Sequence, residues 1–254
     1  MNPAPLVILD EIDSTNAEAR RLAEAGETGP RWIVARRQTA GRGRRGRHWS
    51  SEPGNLAATL LITTSQSASE AAQATFVAAL AVADLLDVFV SPALVAIKWP
   101  NDVLLDGTKV SGILIESGPH PDGGLWLAVG IGVNLAHAPT DTERGAAALA
   151  DRLRADMSFA PPVEAAAEIL AETFAVWWGR WRTLGFEPIL EAWTSRLTGL
   201  NGPCTARLEH ETLEGVAEGV EADGALRLRL ADGSRRAISA GDVFFGPVSK
   251  IAAV

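Results

Sequence analysis

Between Thr198 and Pro203 the chain runs through Thr-Gly-Leu-Asn-Gly-Pro, a string of turn formers, and its texture differs on the two sides. Downstream, short alternating runs at 205–208, 216–221, 225–230 and Arg235–Ile238 are separated by Asp223-Gly224 and Asp232-Gly233. Apolar–polar alternation broken by Asp-Gly turns predicts a small all-β barrel of about 50 residues. Upstream, apolar runs of strand length mix with longer stretches of helical period. A chain of 254 residues can hold one large and one small domain. The expected division is 1–198 and 199–254.

In the larger part, strands are expected at 6–9, 32–35, 55–63, 94–99, 103–105, 109–116 and Leu125–Val133. Asp106-Gly107 reads as a hairpin turn. Helices are expected at 17–25, 70–88, 141–156, Val163–Leu184 and 187–197. Thr15-Asn16-Ala17-Glu18 has the spacing of a capping box at the start of the first. Trp177, Trp178, Trp181 and Trp193 fall at helical spacing and read as core. Every candidate for chemistry lies before residue 135, so the barrel reads as accessory.

The net charge of −8 argues against general nucleic-acid binding, so an anion site here must be a local basic patch. Cys204 stands alone, which removes a disulfide framework and a cysteine zinc site. The scattered His48, His120, His137 and His210 have no metal spacing. Without a Gly-x-Ser-x-Gly elbow, nucleophilic covalent catalysis is unsupported. The N-terminus has no basic region and soon meets Asp10, Glu11 and Asp13, unlike a signal peptide. The apolar stretch 71–97 is interrupted by Asp84, Asp87 and Pro92, which argues against a membrane span. The expected location is cytoplasmic.

Four segments could carry chemistry. From Arg36 to Arg47 there are six arginines and three glycines, with no acid, and Trp49 follows. Glycines let backbone N–H groups approach an anion, and guanidinium groups clamp carboxylate or phosphate. Such a loop should repel itself when empty and order around an anion. An RNA-binding arm and a merely solvated loop are the alternatives. Next, Lys98-Trp99-Pro100-Asn101-Asp102 precedes a strand that begins near Lys109. Only three of the 23 basic residues are lysines, Lys98, Lys109 and Lys250, and a compact ammonium is not interchangeable with a guanidinium. Antiparallel pairing can bring Lys98, Asn101, Asp102 and Lys109 around one point, although the turn could also be purely structural. Third, Gly130 and Gly132 alternate in Val-Gly-Ile-Gly-Val-Asn134, leaving one strand face bare for a flat ligand or for tight packing. Finally, Asp13-Ser14-Thr15-Asn16 is a helix N-cap that could also meet a polar ligand.

In this order the segments resemble the biotin–protein ligase family. Asp-Ser-Thr-Asn, Gln-x-x-Gly-Arg-Gly-Arg-x-Gly-Arg-x-Trp, Lys-Trp-Pro-Asn-Asp, Lys-x-x-Gly-Ile-Leu-x-Glu and Gly-x-Gly-x-Asn all occur with family-like spacing over roughly residues 10–135. The resemblance implies an α+β fold, a mixed or antiparallel sheet with packed helices like that of class II synthetases. It also implies a small C-terminal SH3-like β-barrel.

It further implies two half-reactions: biotin and ATP give biotinyl-5′-AMP, and a lysine of a biotin carboxyl carrier domain then takes the biotinyl group. By matching positions, Ser14, Thr15, Asn16 and Gln38 would face the ureido bicycle, over a floor of Gly112, Gly130 and Gly132. Arg42, Gly43, Arg44 and Lys109 would surround the biotin carboxylate and α-phosphate. Arg47, Trp49, Asn101 and Asn134 are carried over as ATP or adenylate contacts, with Trp49 on the adenine. Asp102 is the candidate to orient or deprotonate the acceptor lysine. Magnesium would arrive with ATP, with no dedicated protein metal site. Asp13 begins the motif too early for a preceding DNA-binding domain, so no DNA partner is expected; no membrane is expected either, and a homodimer is possible. A lipoate–protein ligase, which normally carries a Gly-Gly-Gly-type loop, and an RNA-binding protein are the rival readings.

Overall fold

The computed structural model of the chain describes residues 3–140 and 145–246. Seven strands form one mixed sheet: β1 (Leu6–Ile12), β2 (Arg31–Gln38), β3 (Leu56–Thr64), β4 (Val95–Lys98), β5 (Asp102–Leu105), β6 (Thr108–Pro119) and β7 (Leu125–Val133). Their order is β1-β2-β3-β7-β6-β5-β4. β1 and β2 are parallel, and the remaining neighbours are antiparallel. Asp106 and Gly107 both take positive φ, as a tight hairpin between β5 and β6 requires.

Side-chain alternation along the strands divides the molecule into two layers. Val34, Ala58, Leu60, Ile113, Leu127, Val129 and Ile131 face the main core. There they meet α3 (Ala74–Phe89), α4 (Val163–Leu184) and α5 (Glu187–Ser195). Ile33, Leu61, Trp126 and Ala128 face the other way, against Ala19 and Ala23 of α1 (Thr15–Glu24). The same parity puts Thr59, Gly112, Leu114, Glu116, Gly130 and Gly132 on the α1 face. The sheet therefore has a packed side and a side that α1 covers only in part.

The helical stretch Ala68–Phe89 has the length and apolarity of a membrane span. It is the core helix: a four-residue turn, α2 (Ala68–Ala71), leads into α3, where eleven side chains are buried. The acids that interrupt it find partners, since Asp84 accepts from Trp177 at 2.6 Å and Asp87 pairs with Arg196 at 2.6 Å. Trp178, Trp181 and Trp193 are buried as expected, and Trp177 is half-buried.

A second, five-stranded antiparallel sheet contains β8 (Pro203–Arg207), β9 (Thr212–Val220), β10 (Leu226–Leu230), β11 (Arg235–Ile238) and β12 (Asp242–Phe245), in the order β11-β10-β9-β8-β12. Among the described residues β11 and β12 do not pair, so the barrel is not closed. The two sheets meet where Trp99 donates its indole N–H to the Gly224 carbonyl at 2.9 Å. A Cβ on Gly224 would come 2.6 Å from the Phe76 ring, which keeps that turn free of side chain.

Two local expectations change. The cap of α1 is Ser14, whose hydroxyl accepts from the Ala17 N–H at 3.4 Å. Thr15, expected in that role, is thereby released for other bonds. The helix expected over 141–156 is not found over 145–156, which holds only a 3-10 turn, Leu149–Arg152; residues 141–144 lie outside the described residues. The segment is held instead by backbone bonds from Ala147 to Lys109 and from Leu149 to Asn134, both 2.9 Å.

Candidate active site

The uncovered part of the sheet forms the floor of a cavity of about 990 Å³. The start of α1, the 41–50 loop, the Lys98–Asp102 turn, the 112 and 130–132 backbone and β12 of the second sheet enclose it. Ser14, Thr15, Asn16, Gln38, Arg42, Gly43, Arg44, Arg47, Trp49, Asn101, Asp102, Lys109, Gly112, Gly130, Gly132 and Asn134 all line it. The chain thus brings together every site residue expected from sequence, in two chemically different ends.

One end is neutral and closely hydrogen-bonded. Gln38 Oε1 accepts from the Thr15 N–H at 2.8 Å and from the Thr15 hydroxyl at 3.1 Å. The Thr59 hydroxyl, fully buried, lies 2.7 Å from both the Thr15 hydroxyl and Asn16 Oδ1. Asn16 Nδ2 donates to Glu116 at 2.7 Å and to the Leu114 carbonyl at 3.3 Å. Asp13 braces this turn from outside: the Arg21 guanidinium holds its carboxyl at about 2. Thr59 was not singled out from sequence. It sits in a strand of Leu, Ile, Ala and Thr, and only its parity, shared with Leu61, marks the face.

The glycines of the floor also make room for the protein's own side chains. A Cβ at Gly130 would sit 2.2 Å from Asn16 Oδ1, so this glycine makes room for Asn16. At Gly132 a Cβ would meet the Trp49 indole at 2.3 Å, and at Gly112 it would meet the same ring at 3.0 Å. Gly112 and Gly132 are register partners, so Trp49 lies across a bare two-strand step. The missing side chains admit the protein's own Asn16 and Trp49.

The other end is ionic. Lys109 Nζ is 2.5 Å from one Asp102 oxygen, and Lys98 Nζ is 3.3 Å from the other. The β-hairpin makes this possible, since Lys98 pairs with Asp102 and Asp102 with Gly112 across adjacent strands. Burial raises the Asp102 carboxyl, but Lys109 and Lys98 outweigh it and hold the group below the usual carboxylate range. Arg44 donates to Asn101 Oδ1 at 3.0 Å and to the Gly241 carbonyl at 3.2 Å. Burial lowers the Arg44 pKa, opposed by Asp242 and Asp102. A guanidinium starts so high that it keeps its charge.

The arginine loop is not left to repel itself. Arg42 reaches Glu116 at 3.7 Å, Arg45 reaches Asp242 at 3.3 Å, and Arg47 also bonds Asp242. Composition could not reveal this, because both acids come from distant strands, one of them the β12 strand that the sequence reading did not include. Asn134 is buried, and its amide donates to the Ala147 carbonyl at 3.1 Å, so Nδ2 is engaged in holding the chain after β7. Burial pushes the Cys204 thiol up to about 11, which keeps it protonated. Among the described residues no three His, Cys, Asp or Glu side chains cluster as metal ligands.

The model of the biotin/lipoate A/B protein ligase family matches residues 9–135, and that of the biotin protein ligase C-terminal domain matches residues 199–246. The chain is 46% identical to a biotin–[acetyl-CoA-carboxylase] ligase of Paracoccus denitrificans, over 94% of this chain and 100% of that one. It is 31% identical to the bifunctional ligase/repressor of Bacillus subtilis, over 92% of this chain and 72% of that one. Among solved structures, a biotin protein ligase from Aquifex aeolicus in complex with biotin and ATP superposes with a TM-score of 0.79 at 24% identity, covering 95% and 99% of the two chains. One from Leishmania major in complex with biotinyl-5-AMP gives 0.60 at 28% identity, covering 93% and 99%.

Proposed function

The chain belongs to the biotin/lipoate A/B protein ligase family, and from that premise we propose that it joins biotin to a carrier-protein lysine through biotinyl-5′-AMP. The observation that carries the reading is the two-ended cavity: a neutral array of amides and hydroxyls opens, without a wall between, onto a cluster of guanidinium and ammonium groups. A ligand with an uncharged polar head and a carboxylate tail fits that order, and the cationic end also suits an α-phosphate.

In the first half-reaction a biotin carboxylate oxygen attacks the α-phosphorus of ATP, and the bond to the β-phosphate oxygen breaks. Charge gathers on the α-phosphoryl oxygens and on the departing pyrophosphate. Arg44 and Lys109 are the groups proposed to meet it, already held by Asn101 and Asp102 before substrate enters. Arg42 and the Gly43 backbone are proposed at the biotin carboxylate, Arg47 at the phosphates and Trp49 at the adenine. Magnesium would enter as the counter-ion of ATP.

In the second half-reaction the lysine amine of a biotin carboxyl carrier domain attacks the mixed-anhydride carbonyl; an N–C bond forms, AMP leaves and the amine loses a proton. Asp102 is a weak base here because two ammonium groups hold its carboxyl low. Its proposed part is to fix Lys98 and Lys109 and to orient the incoming amine. Purified protein with biotin, ATP and a carrier domain should add one biotinyl group, read by mass spectrometry, and release pyrophosphate. A carrier of unchanged mass would overturn the proposal, and a lipoyl adduct under the same conditions would favour the lipoate reading.

A further inference from the structure

We propose that Glu116 and Thr59, neither of which reaches the cavity, are positioning residues that set ligand specificity by fixing which atoms of Asn16 are free to recognise the head group. The inference rests on the biotin reading above and goes beyond it.

Donor and acceptor capacity fixes the orientation of both amides. An ionised carboxylate and a backbone carbonyl only accept, so the side of Asn16 that faces Glu116 and the Leu114 carbonyl must be its NH₂ group. Both N–H donors are then used. Oδ1 is turned to the Thr59 hydroxyl and retains a second lone pair, and Asn16 itself lines the cavity. Gln38 is fixed in the opposite sense. The Thr15 backbone N–H can only donate, so Gln38 must present Oε1 to it, leaving Nε2 without a partner among the described residues. The Ser14 hydroxyl accepts the helix cap bond and likewise donates to no described residue.

The cavity head therefore offers a fixed set: an amide oxygen to accept, and an NH₂ and a hydroxyl to donate. A cyclic urea carries two N–H donors and one carbonyl acceptor and satisfies that set. A dithiolane ring has neither and would leave those groups unpaired at a cost. Glu116 is the stronger of the two acceptors that make the arrangement one-way, since its bond to Asn16 is charged and short while that to the Leu114 carbonyl is longer. It is 3.7 Å from Arg42, so the same carboxylate borders the carboxylate-binding end.

The test measures biotin binding by calorimetry without ATP, and KM for biotin and for ATP in pyrophosphate release. In Glu116→Gln the new side chain can donate as well as accept, so only the longer bond to the Leu114 carbonyl still favours the native orientation of Asn16. Biotin affinity is expected to fall about tenfold, the scale of one charged hydrogen bond. KM for ATP should stay within about twofold, and Glu116→Asp, which keeps the acceptor-only group, should recover part of the loss. Thr59→Val removes the partner of Oδ1 and should weaken biotin in the same direction. Unchanged biotin affinity in both Gln and Val variants would overturn the inference. So would an equal loss for biotin and ATP, the sign of a merely structural role. Failure of the wild type to bind biotin at all would instead remove the functional reading on which this rests.

Discussion

Lys109 is one of three lysines in a chain that otherwise uses arginine, and its position explains the choice. Its ammonium sits 2.5 Å from Asp102 and 5.6 Å from the centre of the Trp49 ring, where a compact point charge can serve both. In Lys109→Ala, pyrophosphate release is expected to fall ~10²–10³-fold, the scale of losing one preorganised charge partner. Circular dichroism should show the fold intact, and wild-type release by this variant would remove Lys109 from the chemistry. Asp102 makes a different prediction. Its folded pKa is depressed, so its contribution to stability is present above the unfolded value and is lost as pH falls through the folded one. The stability gap between wild type and Asp102→Asn, read from urea midpoints, should be widest near neutrality and shrink below about pH 4. A gap that widens in acid would contradict the lysine pairing. At this scale sequence supplied residue types well and their partners poorly. The scarcity of lysine pointed to Lys98 and Lys109, whereas nothing in the arginine run pointed to Glu116 or Asp242.

Strand periodicity made most of the sheet legible, because a run with one buried face must alternate. Leu125–Val133 and Val163–Leu184 fall where the pattern places them. The run from 141 to 156 misled, since alanine content alone is a weak prior when backbone bonds to Lys109 and Asn134 offer the segment another place. The C-terminal strand β12 was missed because Asp-Val-Phe-Phe is too short to show a period. Alternate glycines were legible as a bare face, but sequence could not say what fills it. That distinction is measurable. Asn16 is buried and tied by bonds on three sides, whereas Trp49 belongs to a loop and is half-exposed. Gly130→Ala should therefore cost roughly 1–3 kcal/mol, an overpacking penalty, and lower the melting temperature by about 2–4 °C for each of these. Gly132→Ala should cost less, because Trp49 can move. Equal losses by calorimetry would mean that both glycines are enclosed alike.

At the scale of the whole molecule, the two sheets share the site. The second one contributes Asp242 to Arg45 and Arg47 and the Gly241 carbonyl to Arg44, so three bonds tie the arginine loop to the start of β12. The acid is itself held below its usual range, burial being outweighed by the bond and charge of Arg47. Each exposed ion pair contributes little alone, about 0.2–1 kcal/mol, but they converge on one strand and restrain one loop. Trypsin reports on this directly, because the loop carries its cleavage sites at Arg42, Arg44, Arg45 and Arg47. In the wild type, biotin with ATP should slow cleavage by supplying anions to the same guanidinium groups. Without ligand, Asp242→Asn should be cut several-fold faster, since a carboxamide holds a guanidinium less well than a carboxylate. With both ligands the variant and the wild type should be protected alike, because the phosphates then do what Asp242 did. Raising the salt should erase much of the ligand-free difference and little of the protection. Cleavage at the same rate in both proteins without ligand would mean that β12 lies beside the loop without restraining it.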